Sequence, residues 1–267
     1  MQVPFGVDAF GEKVFLGDVP HDPLIGIIAG MSGSGKTRAG NLIICQLARY
    51  LGASVQIAVI DPKAVGFIGF ESRCYVYDRE RDWHPLIDAL SNEMQRRYRR
   101  MRDEGTPFFE ISEDDPYLLL VIDEMSAVSN STRLLKKERE EFMKKLLDYS
   151  FQCRQASMGL LIICQSCDSS TMPTSLRGNA STRIALRTAG AEQVTMIAGA
   201  KREDECPCDL LTLPGQFYAM TPATDGKWVK GRAWDMPPER ARQIMSELST
   251  DKRLPYCLDW KNPAFAG

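Results

Sequence analysis

Short aliphatic runs alternate along this chain with longer stretches in which apolar residues recur every three or four positions. The runs occupy residues 24–29, 55–60, 74–77, 118–122, 160–164, 183–186 and 216–220. Near-continuous runs of this kind mark strands buried on both faces. Their alternation with amphipathic segments predicts an α/β fold, a mostly parallel sheet flanked by helices. Residues 85–103 predict a helix in which Pro85 suits the first turn and Leu86, Leu90, Met94, Tyr98 and Met101 share a face, leaving Arg96, Arg97, Arg99 and Arg100 on the others. A second helix is predicted over 134–149, with Leu135, Phe142, Leu146 and Tyr149 as its buried stripe. Residues 201–214 lack periodicity and predict a loop, and Pro237-Pro238 opens a short helix. The whole reads as one domain over 1–250 followed by a tail over 251–267.

Composition narrows the class. With 267 residues and 44% hydrophobic content the chain can bury one large core. Its 33 Lys and Arg against 35 Asp and Glu leave a net charge of -2, so any nucleic-acid surface is local rather than global. No run of about 18 apolar residues occurs, and the N-terminal stretch has no basic region leading into an apolar block. The expectation is a soluble, cytoplasmic protein whose attachment to a membrane would depend on a membrane-bound partner protein. Its 8 cysteines follow no disulfide-scaffold spacing and read as reduced thiols.

The densest chemical signal is Gly30-Met31-Ser32-Gly33-Ser34-Gly35-Lys36-Thr37, a complete G-x-x-x-x-G-K-[ST] set between an apolar strand and a helix. Glycines there let backbone N–H groups converge on phosphate oxygens, and the helix adds its positive end. Gly30, Ser32, Gly33, Ser34, Gly35, Lys36 and Thr37 are thus the expected nucleotide cradle, with Lys36 on the β/γ-phosphates and Thr37 on Mg²⁺. The run 117–122 ends in Asp123-Glu124, at the strand end where ligands bind in parallel sheets. Asp123 is expected to hold Mg²⁺ and Glu124 to act as general base on water, which favours ATP hydrolysis over transfer to a small molecule.

With those motifs in place the chain resembles the FtsK/SpoIIIE branch of the FtsK/HerA P-loop NTPases, over roughly residues 3–249. Pro4-Phe5-Gly6-Val7-Asp8 resembles the family's lead-in, Ile60-Asp61-Pro62-Lys63 its tetrapeptide after the second strand, and Glu93-Met94-Gln95-Arg96-Arg97-Tyr98 its helix before the acidic strand. Cys153-Arg154-Gln155-Ala156-Ser157-Met158-Gly159 leading to Cys164-Gln165, and Ser181-Thr182-Arg183-Ile184, resemble two further elements. The resemblance implies a RecA-like motor working as a homo-hexamer on double-stranded DNA. It also implies Gln165 as γ-phosphate sensor and Arg183 as the arginine finger, with Arg154 second. The family's Thr-Gln-x-Pro stretch is here Cys164-Gln165-Ser166-Cys167, a departure at the sensor loop. The resemblance fits a stand-alone motor, as found among plasmid-transfer and mobile-element ATPases, or an isolated domain, with DNA transfer or chromosome segregation as its process; a type VII secretion-like ATPase exporting protein is the alternative.

Other signals carry less. The arginine cluster of 96–100 is more often an ion-paired helix face than a DNA path. Cys164, Cys167, Cys206 and Cys208 offer four thiols without a known zinc spacing. His21 and His84 stand alone, the latter at a helix entry, and Arg177, Gly178 and Asn179 read as a loop at the sheet edge.

Overall fold

The computed structural model of the chain describes residues 2–199 and 203–248. The 251–267 tail, the boundary near 250 and Lys201 lie outside the described residues.

One ten-stranded sheet organises the molecule. Its parallel part contains β3 (Ile25–Ala29), β4 (Val55–Ile60), β5 (Tyr75–Tyr77), β6 (Tyr117–Ile122), β7 (Met158–Cys164) and β8 (Thr182–Ala185). These are the aliphatic runs of the sequence, and β3, β4, β6 and β7 are buried at every position. An antiparallel extension adds β1 (Gln2–Asp8), β2 (Lys13–Asp18), β9 (Gln216–Met220) and β10 (Val229–Ala233), giving the order β2-β1-β10-β9-β8-β3-β7-β6-β4-β5. Of the extension only β9 is predicted from the sequence. Pro4 and Gly6 interrupt β1 and Gly231 interrupts β10, which alternates half-buried with exposed residues, as strands outside the parallel core do.

Helices cover both faces. On one lie α1 (Lys36–Leu51) and α7 (Pro238–Glu247), packed over Ile28, Val59, Val121 and Ile163. On the other lie α2 (Trp83–Glu104), α3 (Met125–Ser129), α4 (Lys136–Gln152), α5 (Thr174–Asn179) and α6 (Ala191–Ala198), over Ile27, Ile60, Ile122 and Ile162. Successive strand residues thus feed opposite cores, as the period of two requires. The α2 helix ends where Gly105 turns left-handed at φ 69 and donates its N–H back to Arg102.

Three expectations need correcting. Leu135 is not in a buried stripe: it precedes α4 in extended conformation, 73% exposed, with its N–H donated to the Glu138 carboxylate. Arg177, Gly178 and Asn179 form the end of α5 rather than a loop, and β8 beside them is internal, between β3 and β9. Arg97 does not face outward. Its side chain is fully buried, bonded to Glu93 (2.8 Å) and to the carbonyls of Pro116 (2.7 Å) and Ala156 (2.9 Å). Arg96 and Arg100 are exposed and ion-paired, both reaching Asp115.

Candidate active site

The register of the parallel strands brings the expected site residues to one rim. Ala29 pairs with Cys164, Ile60 with Ile122, and Ile122 with Ile162. The loop after β3, Asp61 after β4, Asp123 and Glu124 after β6, and Gln165 after β7 therefore emerge side by side at the C-terminal edge. They border a cavity of about 720 Å³ lined by Ser32, Gly33, Gly35, Lys36, Thr37, Asp123, Glu124 and Gln165. Gly30 and Ser34 are buried and do not line it.

The 30–37 loop is anchored from three sides. Gly30 donates its N–H to the Cys164 carbonyl (3.3 Å), Met31 to that of Arg187 (2.7 Å), and Gly215 donates to the Ser34 carbonyl (3.0 Å). Gly35 has φ 105, a conformation side chains rarely adopt, and lines the cavity immediately before α1 begins. The buried Ser34 hydroxyl has no hydrogen-bond partner. Lys36 Nζ donates to the carbonyls of Gly30 (2.7 Å) and Met31 (3.1 Å). Burial lowers its pKa, against the opposing pull of Glu124, Cys164 and Asp123.

The carboxylates crowd each other. Asp123 has its pKa pushed up to about 6, first by burial and then by Asp61 and Glu124, which outweigh Lys63 and Lys36. A carboxyl raised on folding contributes stability that is complete below its unfolded value and lost as pH rises through the folded one. Asp123→Asn cannot ionise, so in unfolding of the nucleotide-free protein it should gain on wild type between about pH 4 and 7, by on the order of 2 kcal/mol. A difference that does not vary with pH would contradict this charge strain. The same strain is what a divalent cation relieves. Thr37 and Asp123 share the cavity, and a hydroxyl, a carboxylate, phosphate oxygens and waters make a donor set suited to Mg²⁺. Among the described residues no group of His, Cys, Asp or Glu could hold a metal by itself, and the zinc reading of the four thiols finds no support. Cys164 and Cys167 are a buried contact pair, Sγ to Sγ 3.2 Å.

Glu124 is buried, with φ 59 and its Oε1 accepting from the Ser126 hydroxyl (2.6 Å) and the Gln165 N–H (3.4 Å). The expected base and the backbone of the expected sensor residue are thus in contact. Arg183 is elsewhere: its guanidinium donates to the carbonyls of Arg177 (2.9 Å) and Ile197 (3.2 Å) of its own chain. Arg154 is half-exposed and paired with Asp22.

The far wall of the cavity was not foreseen. Leu213, Pro214 and Gly215 before β9, and Arg232, Trp234 and Asp235 at the end of β10, line it together with Arg38, which bonds Asp235 through both carboxylate oxygens (2.6 and 2.8 Å). No local pattern marks these residues, because only the antiparallel return of β10 brings them to α1.

The model of the FtsK/SpoIIIE family matches residues 1–203. The chain belongs to the FtsK/SpoIIIE family. It is an ATPase with a RecA-like fold. Among solved structures, the pCW3 conjugation coupling protein TcpA, in monomer form with ATPγS, is similar at TM-score 0.77 and 21% identity, over 92% of this chain and 70% of TcpA. EssC (ATPases 2 and 3) from Geobacillus thermodenitrificans gives 0.74 and 16%, over 92% of this chain and 48% of that one. The cytoplasmic domain of the type VII secretion ATPase EccC from Thermomonospora curvata gives 0.72 and 22%, over 96% and 32%. The chain thus spans less than half of either secretion ATPase. A comparison with curated proteins finds no match. No helix among the described residues is long and apolar enough to cross a membrane.

Proposed function

We propose that this FtsK/SpoIIIE-family ATPase drives double-stranded DNA as an oligomeric, hexameric ring. The observation that carries the motor reading is the single cavity that gathers Lys36, Asp123, Glu124 and Gln165 at neighbouring strand ends. Lys36 neutralises the β/γ-phosphates, Glu124 takes the proton of the attacking water, and Gln165, bonded to Glu124, reports the γ-phosphate to the base. Mg²⁺ held by Thr37 and Asp123 would draw charge off the phosphate oxygens. Arg154 is better placed than Arg183 to act as a finger on a neighbouring subunit, since it is exposed and tied only by a surface ion pair.

Similarity over most of TcpA, a conjugation coupling protein, supports DNA as cargo. Likeness to EssC and EccC keeps protein export as the second reading. The two part on one measurement. At a net charge of -2 the isolated chain should bind duplex weakly. Once nucleotide promotes assembly, duplex of any sequence should raise ATP turnover, with an affinity that falls with salt at a log–log slope of about -0.9 per neutralised phosphate. Stimulation by an unfolded or secreted polypeptide and not by duplex would replace DNA with protein.

A further inference from the structure

Lys63 has no part in the chemistry above, yet the fold presents it to the reacting centre. It stands in the turn after β4, which the buried Asp61 carboxylate pins by accepting the N–H groups of Lys63 (3.2 Å), Gly66 (2.9 Å) and Phe67 (3.2 Å). The turn lies flush against the acidic pair: a Cβ added at Gly66 would stand 2.8 Å from Asp123 Oδ2. From this platform the Lys63 side chain crosses the cavity wall, and its Nζ comes 3.6 Å from Glu124 Oε2.

With Lys63 half-exposed and its ammonium screened by solvent, this ion pair contributes little to stability. Its geometry matters more. Glu124 holds a left-handed φ that a non-glycine residue keeps only when its surroundings impose it. Ser126 and the Gln165 N–H occupy Oε1, so Oε2 is the oxygen left to receive a proton. At 3.6 Å Lys63 attracts Oε2 without a short hydrogen bond, which leaves that oxygen a lone pair for water. Lys36 cannot substitute, because its Nζ is held at the phosphate loop by Gly30 and Met31.

We propose that Lys63 is a positioning residue for ATP hydrolysis: it turns Oε2 of Glu124 toward the terminal phosphate and fixes it there. In the step it serves, water oxygen bonds to the γ-phosphorus while the bond to the bridging oxygen breaks. ADP leaves with that electron pair, and the water proton passes to Oε2 and then to solvent. The inference rests on the hydrolytic reading of Glu124.

A double-mutant cycle separates the two. Wild type, Lys63→Met, Glu124→Gln and the double variant are compared by single-turnover hydrolysis and by equilibrium binding of a fluorescent ATP analogue. Lys63→Met should lower the hydrolysis rate about tenfold, the size of coupling that touching residues show, with analogue affinity within about twofold of wild type. In the Glu124→Gln background the same change should cost less than about twofold, and Lys63→Arg should recover most of the rate. Equal losses in both backgrounds, a loss confined to affinity, or no loss would each overturn the proposal. If Lys63→Met melts well below wild type, Lys63→Gln is read in the same cycle. Wild-type turnover by Glu124→Gln alone would instead remove the base assignment itself.

Discussion

Glu124→Gln should keep nucleotide affinity near wild type while ATP turnover falls by about 10³-fold, the range lost with a general base. The amide preserves shape and can still meet Ser126, but it cannot take a proton from water. Lys36→Ala should show the opposite pattern, losing affinity first, because it removes the cation that the phosphate loop delivers at the start of α1. Equilibrium binding and steady-state turnover on the two variants check both halves. Near wild-type turnover in Glu124→Gln would move the base to another residue.

Arg97→Met should destabilise the chain by about 3–5 kcal/mol, the cost of breaking a buried pair. The guanidinium is fully buried over the Phe109 ring (4.5 Å to its centroid), and it joins Glu93 on its own helix to carbonyls at Pro116, Ala156 and Ser157 (2.7, 2.9 and 3.3 Å). It thereby ties α2 to the entrances of β6 and β7, the strands that end in Glu124 and Gln165. Removing it leaves Glu93 only the half-exposed Arg96 as its cationic partner and leaves the buried carbonyls of Pro116, Ala156 and Ser157 without their donor. Arg97→Lys should recover little, since an ammonium cannot span acceptors set for a planar fork. Urea unfolding decides the matter; a loss under about 1 kcal/mol for Arg97→Met would contradict the tie.

The parts of this site legible in sequence are those whose chemistry is contiguous. The 30–37 loop and the Asp123-Glu124 pair each carry their own context of strand and flanking residues, and the buried parallel strands announce themselves as aliphatic runs. Arg97 was misplaced because a charge in a helix reads as surface unless its partners are known, and they lie at 116 and 156–157. The cavity's far wall was invisible for the same reason on a larger scale. Arg38 and Asp235 meet only after β10 has returned antiparallel beside β1, and neither residue is distinctive alone. Lys63 belonged to a recognisable tetrapeptide, but its reach to Glu124 depends on the turn that Asp61 pins.

Movement of DNA is the claim on which the account turns, because static binding can also organise subunit interfaces and stimulate hydrolysis. The direct measurement is displacement of a third strand from a triplex placed on duplex, with wild type and Glu124→Gln under identical ATP and salt. Wild type should strip the third strand at a rate that tracks ATP turnover, and Glu124→Gln should bind the duplex and strip nothing. Assembled wild-type protein that hydrolyses ATP yet leaves the triplex intact, while an unfolded polypeptide raises its turnover, would contradict DNA translocation.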